Sequence, residues 1–418
     1  MDSPLVNDDE EDEHYERTWV AAHWIGCGRE YHNNPPVVEA ANLPDKNMSI
    51  AQLLVFEVPP IEDPMDDDTE WFLTEPASPD VRELVPLLSI PSRDVVQHLL
   101  NELGQAWFDG KQSLHTSINP EVALPFWVLT YWLVILDAAE AKDRWIAASI
   151  WSDKVGKTRE ELGMKRAVKD LWKKIAWHGN LPGFGSSLPV LDLAGFFSQD
   201  YLAGNLVDAM MRLLSVRLAE SAGPVSNSTL VVDTPFAQYI ELLHPDLDGI
   251  RPDNISPSAL KYLDKYGSWF QSPDHTHLYF FLHRPPRHWT ACEIDFKSKH
   301  IRYGDSLRWK RPQDFFDALD SFVAEQFAGA KFIVTDDLRY AYQTDGYNCP
   351  IIAVNTVAHN VLGDALWTPG TANGLRMKAF CEITEYTSSG RAKVCLYPPQ
   401  RAPSHLRKGP LRPILLYE

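Results

Sequence analysis

His288-Trp289-Thr290-Ala291-Cys292-Glu293-Ile294-Asp295, followed by His300-Ile301-Arg302-Tyr303-Gly304-Asp305-Ser306, is the stretch on which the reading of this chain turns. Both halves are rich in aromatic and β-branched residues and are split by the polar Lys297-Ser298-Lys299, the pattern of a β-hairpin. A turn centred near Phe296 and Lys297 sets position 288 opposite 305, and cross-strand neighbours lie about 5 Å apart. An imidazole and a carboxylate are thereby expected to meet at the open end of the hairpin.

Downstream, Gln343 stands six residues before Cys349. Ile351, Val354, Ala358 and Val361 repeat at helical spacing and Gly363 suits a C′ position, so a helix is predicted to start at Pro350. Cys349 then falls at the N-cap, where the positive end of the helix dipole favours a thiolate. Nucleophilic thiol chemistry needs that thiolate, a nearby imidazole, a carboxylate to orient it and a donor for the oxyanion. Cys349, His288, Asp305 and Gln343 supply the four. A lone His-Trp pair or a lone buried Cys would be structural more often than reactive; here the joint order and spacing carry the weight. His359 is expected to be a packing residue, and His283 a weaker base than His288, because Arg284-Pro285-Pro286 reads as a loop between them.

These residues resemble the ubiquitin-like-protein-specific, or SUMO-type, cysteine proteases of the adenovirus-protease-like clan. That family pairs His with Trp, ends the next strand in Asp-Ser and places a Gln six residues before a Cys that opens a helix. His288-Trp289, Asp305-Ser306, Gln343 and Cys349 match it. The likeness reaches upstream, where Tyr201-Leu202-Ala203-Gly204-Asn205-Leu206-Val207-Asp208 is similar to the family's helix leading into the substrate channel, and it spans roughly residues 188–400. Two positions depart from the pattern: Pro350 stands where the family has Gly, and Tyr201 where it has Trp. The resemblance implies an α+β, papain-like fold with a mixed sheet between helices. It also implies cleavage after the C-terminal Gly-Gly of a ubiquitin-like modifier, SUMO-like first, without a cofactor. Trp289 and Tyr201 would bind substrate, and the partners would be the modifier or its conjugates. A modifier-binding protein that has lost activity, or an acyltransferase of the same clan, are the alternatives.

Composition bounds the remainder. The 418 residues are 44% hydrophobic and carry a formal net charge of −18. Nearly all of that excess lies in residues 1–80, with 20 acidic against 3 basic side chains. That stretch is expected to be an acidic, largely disordered arm. A helical domain is expected over 81–180, the protease domain over 185–400, and a C-terminal tail over 401–418. The helical domain or the arm could serve an unknown partner. No basic stripe is present and the arm would be repelled by phosphate, so nucleic acid is not an expected partner. The apolar run at 123–136 is too short to span a bilayer and reads as a buried helix. Five cysteines, Cys27, Cys292, Cys349, Cys381 and Cys395, without CxxC spacing or a signal peptide, point to a reducing intracellular compartment, nucleus or cytoplasm. His275 and His277 share a strand face but have no evident third ligand, so no metal is expected.

Overall fold

The computed structural model describes residues 44–62, 70–78, 84–155, 158–184, 188–221, 228–243, 274–327 and 329–389, with 257, 261–263 and 266. The first 43 residues of the arm expected over 1–80, Cys27, Cys395 and the expected 401–418 tail lie outside them. At the centre is a five-stranded mixed sheet of β1 (Thr229–Val231), β2 (His277–Arg284), β3 (His288–Asp295), β4 (His300–Gly304) and β5 (Ile333–Thr335), in that order. The β2–β3–β4 meander is antiparallel, while β1 and β5 join its edges in parallel. Every residue of β3 is buried, as a strand covered on both faces must be. Period-2 alternation sorts its side chains, with Trp289 and Ala291 facing one core and Cys292 and Ile294 the other.

The Cys292 face is covered by α5 (Pro235–Leu243) and α6 (Gln313–Gln326), through Phe236, Ile240, Phe316, Leu319 and Phe322. The Trp289 face is covered by α4 (Gly204–Glu220), α7 (Cys349–Leu362) and α8 (Ala372–Ser388). This helix, sheet, helix layering is the mixed fold expected from sequence.

The predicted hairpin forms with a shifted register. Ala291 pairs with Gly304 and Asp295 with His300, so the turn consumes residues 296–299. Asp295 Oδ1 accepts from the backbone amides of Lys297 (3.1 Å) and Ser298 (2.9 Å), and Lys299 takes a left-handed φ of 56°. That Asx-type turn centres later than the expected Phe296/Lys297. His288 and Asp305 become diagonal rather than direct neighbours. A two-residue shift preserves the side-chain face, so they still meet.

The N-terminal expectations need two corrections. Residues 81–180 are helical, in α1 (Arg93–Phe108), α2 (Val128–Lys154) and α3 (Arg159–Trp172), and close a core of their own only over 85–136, while α3 and the second half of α2 join the core of the later segment. The first half of α2 packs with α1 through Trp132, Ile135, Leu99 and Leu103. Its second half enters the core beneath α8, where Trp145 lies 5.7 Å from Trp172 and 6.4 Å from Phe380, and Phe197 4.9 Å from Phe380. Such edge-on aromatic packing makes the boundary near residue 180 a pinch in one continuous core. Leu181 and Leu188 are hydrogen-bonded across it.

The acidic stretch, too, is partly folded. Ile50 and Leu53, fully buried, sit in one helical turn with a Ser49–Gln52 capping box. Trp177 Nε1 donates to the Asp45 carbonyl (2.9 Å). Ile61–Glu62 pairs with Ile90–Pro91, and Phe72–Leu73 with Ser113–Leu114. Within the stretch expected to be an arm over 1–80, residues 44–62 and 70–78 thus pair and pack with the rest of the fold. Acidic composition hid the apolar turn at 50–53. Among the described residues, no helix is long and apolar enough to cross a membrane.

Candidate active site

His288 opens β3 and Asp305 follows β4, both on the Cys292 face of the sheet. His288 is 1% exposed, and its Nε2 lies 2.7 Å from Asp305 Oδ1. An ionised carboxylate only accepts, so Nε2 carries the proton. Asp305 Oδ1 also takes the Leu307 amide (2.8 Å), while Oδ2 takes the Tyr303 hydroxyl (3.0 Å) and Arg284 Nη1 (3.3 Å). Burial alone would raise this carboxyl. The imidazole, the amide and the phenol outweigh it and hold Asp305 below the ordinary carboxylate range.

The other ring nitrogen, Nδ1, is buried with no hydrogen-bond partner among the described residues. A neutral imidazole whose Nε2–H is fixed by a carboxylate has its lone pair on Nδ1, so an unused base is held in place. Over the ring lies Trp309, 4.7 Å between centroids and 42% exposed, itself capped by Arg284 at 5.4 Å.

Cys349 is the first residue of α7, not its N-cap. Asn348 is the N-cap, and Pro350 sits in the first turn. A proline there removes an amide that the helix cannot use internally. Gly363 closes the helix at φ 75°, as its spacing suggested. The sulfur lies 3.8 Å from the Arg287 carbonyl, and the nearby Trp289 backbone amide favours its ionised form. It therefore lies against the chain on either side of His288. Burial pushes the Cys349 thiol up to about 11, partly offset by the Trp289 and Cys349 amides. Burial of the sulfur thus works against the thiolate that the helix end would favour. Cys381 is pushed up further, to about 12, and Cys292 well above the thiol range, each by burial.

Gln343 is tied to the same end of the sheet, its Oε1 accepting from Ser306 Oγ (2.9 Å) and its backbone amide bonded to the Ser306 carbonyl. The Nε2 expected to point toward the sulfur donates instead to Asp345, to its carbonyl at 2.7 Å and Oδ1 at 3.3 Å. Asp345 also accepts from the amides of Tyr347 and Asn348 and from Asn348 Nδ2. The 343–348 loop is thus a bonded turn leading into the nucleophile.

Trp289 is 4% exposed. Its ring lies tilted against His283, 4.8 Å between centroids, and His283 in turn meets Tyr201 edge-on at 6.2 Å. His283 is not separated by a loop: it pairs with Trp289 across β2 and β3. Burial, then the neighbouring His288, lower its pKa, so it serves as a neutral wedge between the two rings. The Tyr201 hydroxyl and Trp289 Nε1 are both buried and without a hydrogen-bond partner among the described residues. His359 Nδ1 sits 2.6 Å from the Asp364 carbonyl, a packing role as expected. No group of three potential metal ligands occurs among the described residues.

The sequence reading missed Arg284, Tyr303 and Trp309. Tyr303 had a signal, since two residues before Asp305 on a strand means the same face. Trp309 had none, because its approach to His288 follows from the path of the chain after β4.

Residues 200–355 match the model of the Ulp1 protease family, C-terminal catalytic domain. No curated protein matches the chain. Among solved structures, the yeast Ulp1 protease domain in complex with SMT3, the yeast orthologue of SUMO, is 16% identical, with 57% of this chain and 97% of that one covered at a TM-score of 0.40. The Chaetomium thermophilum Ulp1-like SUMO protease catalytic domain is 13% identical, with 55% and 90% covered at 0.39. The Xanthomonas campestris effector XopD bound to ubiquitin is 17% identical, with 44% and 92% covered at 0.31. Residues 200–355 of this chain, which hold His288, Asp305, Gln343 and Cys349, thus match a cysteine protease catalytic domain, that of the Ulp1 family.

Proposed function

We propose that this protein hydrolyses the peptide or isopeptide bond after the C-terminal Gly-Gly of a ubiquitin-like modifier, SUMO-like first, with Cys349 as nucleophile, His288 as base and acid, and Asp305 as orienting group. The observation that carries this reading is the pair of His288 nitrogens, Nε2 bonded to Asp305 and Nδ1 buried and unpartnered among the described residues, with the Cys349 sulfur 3.8 Å from the carbonyl of the adjoining Arg287. The neutral thiol gives its proton to His288 Nδ1 as the sulfur attacks the carbonyl carbon. The imidazolium is stabilised by Asp305 and returns that proton to the departing amine, leaving a thioester. Water then attacks the thioester, Nδ1 takes its proton, and the proton returns to the sulfur as the acid leaves. The oxyanion is met by the Cys349 amide at the open end of α7 and by Gln343 Nε2 once it turns from Asp345.

Trp289 and Tyr201, braced by His283, would wall a channel in which any Cβ collides, so that only Gly passes. Trp289→Ala is expected to raise KM and to relax the demand for Gly at the two positions before the scissile bond. Cleavage of Gly-Gly, Ala-Gly and Gly-Ala model substrates, with the melting temperature of each variant, checks this. A destabilised Trp289→Ala enzyme that still demands Gly-Gly would make Trp289 an ordinary core residue.

A further inference from the structure

Arg376 lies in α8, far in sequence from Cys349, and its side chain is wholly buried. Among the described residues, none of the hydrogen-bond acceptors around its guanidinium is a carboxylate. Nε donates to the Phe196 carbonyl (3.1 Å), Nη2 to the carbonyls of Gly195 (2.8 Å) and Asp200 (3.0 Å), and Nη1 to Asn348 Oδ1 (3.1 Å). The Tyr347 ring lies 5.6 Å from its central carbon. Burial lowers its pKa to about 10, which leaves it charged at neutral pH. A buried cation bonded only to neutral acceptors is a poor way to fill a core, since an apolar side chain of like volume avoids the desolvation cost. What an apolar side chain cannot do is join three segments by directed hydrogen bonds.

The identity of those segments matters. Gly195 and Phe196 lie in the last turn of the 3₁₀ helix Val190–Phe197, Asp200 immediately precedes Tyr201, and Asn348 caps the helix that begins with Cys349. From Asn348 the bonds continue: Nδ2 donates to Asp345 Oδ2 (2.8 Å), Asp345 holds Gln343 Nε2, and Gln343 holds Ser306, the neighbour of Asp305. We infer that Arg376 is a positioning residue that fixes the Cys349 end of α7 against the Tyr201 wall, acting through Asn348. For its place in turnover this inference rests on the reading of Cys349 as nucleophile; for the burial and placement of the thiol it does not.

The test uses the full chain with Arg376→Met, Arg376→Lys and Asn348→Ala. Two quantities are measured: the pH dependence of iodoacetamide labelling at Cys349, Cys292 and Cys381, and kcat and KM on a Gly-Gly substrate. A loosened helix end lets solvent reach the Cys349 thiol, so its labelling midpoint should fall by about one unit, or about tenfold in rate at fixed pH, in Arg376→Met and Asn348→Ala alike. Cys292 and Cys381, held in the cores, should be unchanged. Lysine has one point charge for four acceptors, so Arg376→Lys should not restore the profile. In turnover, kcat should fall about tenfold or more, and the double variant should be no worse than the worse single one.

Unchanged Cys349 labelling in a folded Arg376→Met, additive losses, or an equal rise at all three cysteines would each make Arg376 a general packing residue. Should Arg376→Met fail to fold, Asn348→Ala decides, since it leaves the three carbonyl bonds intact; unaltered labelling there overturns the inference. A wild-type protein that turns over no Gly-Gly substrate, yet shows the selective Cys349 shift, would overturn the proposed function and leave the positioning role standing.

Discussion

His288→Ala should lower turnover of a Gly-Gly substrate by on the order of 10⁴–10⁶-fold with little loss of stability. The size follows from the state of the thiol. With the Cys349 thiol pushed up by burial, a spontaneous thiolate is disfavoured at pH 7, so the attack depends on a base. The unpartnered His288 Nδ1 is the group placed to act. Stability should hardly change, because Asp305 keeps Tyr303, Arg284 and the Leu307 amide when the imidazole is gone. Steady-state rates together with thermal unfolding check both halves. A loss under about tenfold would mean that another group takes the proton.

Asp305→Asn should cost about 10⁴-fold in kcat while the protein stays folded. An amide at this position can turn its NH₂ toward His288 Nε2, which must then accept. The ring proton moves to Nδ1, where it blocks the lone pair that would receive the thiol proton. The same variant gives a second, independent reading. The Asp305 carboxyl is below its ordinary range in the folded protein, so it contributes stability that is present above its unfolded pKa of about 3.9 and is lost as pH falls through the folded value. The Asp305→Asn substitution removes that contribution, so below about pH 4 the wild type should lose melting temperature more steeply than the variant. Parallel acid profiles would mean that the carboxylate gains nothing from its partners.

Much of this site is legible in the sequence because its parts are local. The hairpin shows itself by β-branched and aromatic runs, and an even register shift leaves Asp305 on the His288 face. The helix after Cys349 shows itself by apolar spacing and by Gly363, with a one-residue error at its start because Pro350 suits more than one position of a first turn. Other features are set by chain segments far apart. Arg376 reaches Asn348 only when α8 packs across α7, and α2 divides its apolar stripe between two cores, which periodicity alone cannot assign. Composition misled at residues 44–62, where acidic neighbours surround the buried Ile50 and Leu53. Burial of the thiol was not legible either: the sequence displays the helix dipole but not the depth at which the sulfur lies.

The most direct measurement is to incubate the full-length protein with a panel of ubiquitin-like modifiers bearing an electrophile in place of the C-terminal Gly carboxylate, and to locate any adduct by peptide mass. The expected result is an adduct with a SUMO-type probe at Cys349, absent in Cys349→Ala and slowed severely in His288→Ala and Asp305→Asn. An adduct at Cys27, Cys292, Cys381 or Cys395 instead, or none with any member of the panel, would contradict the assignment of Cys349 as a nucleophile for Gly-Gly-terminated modifiers.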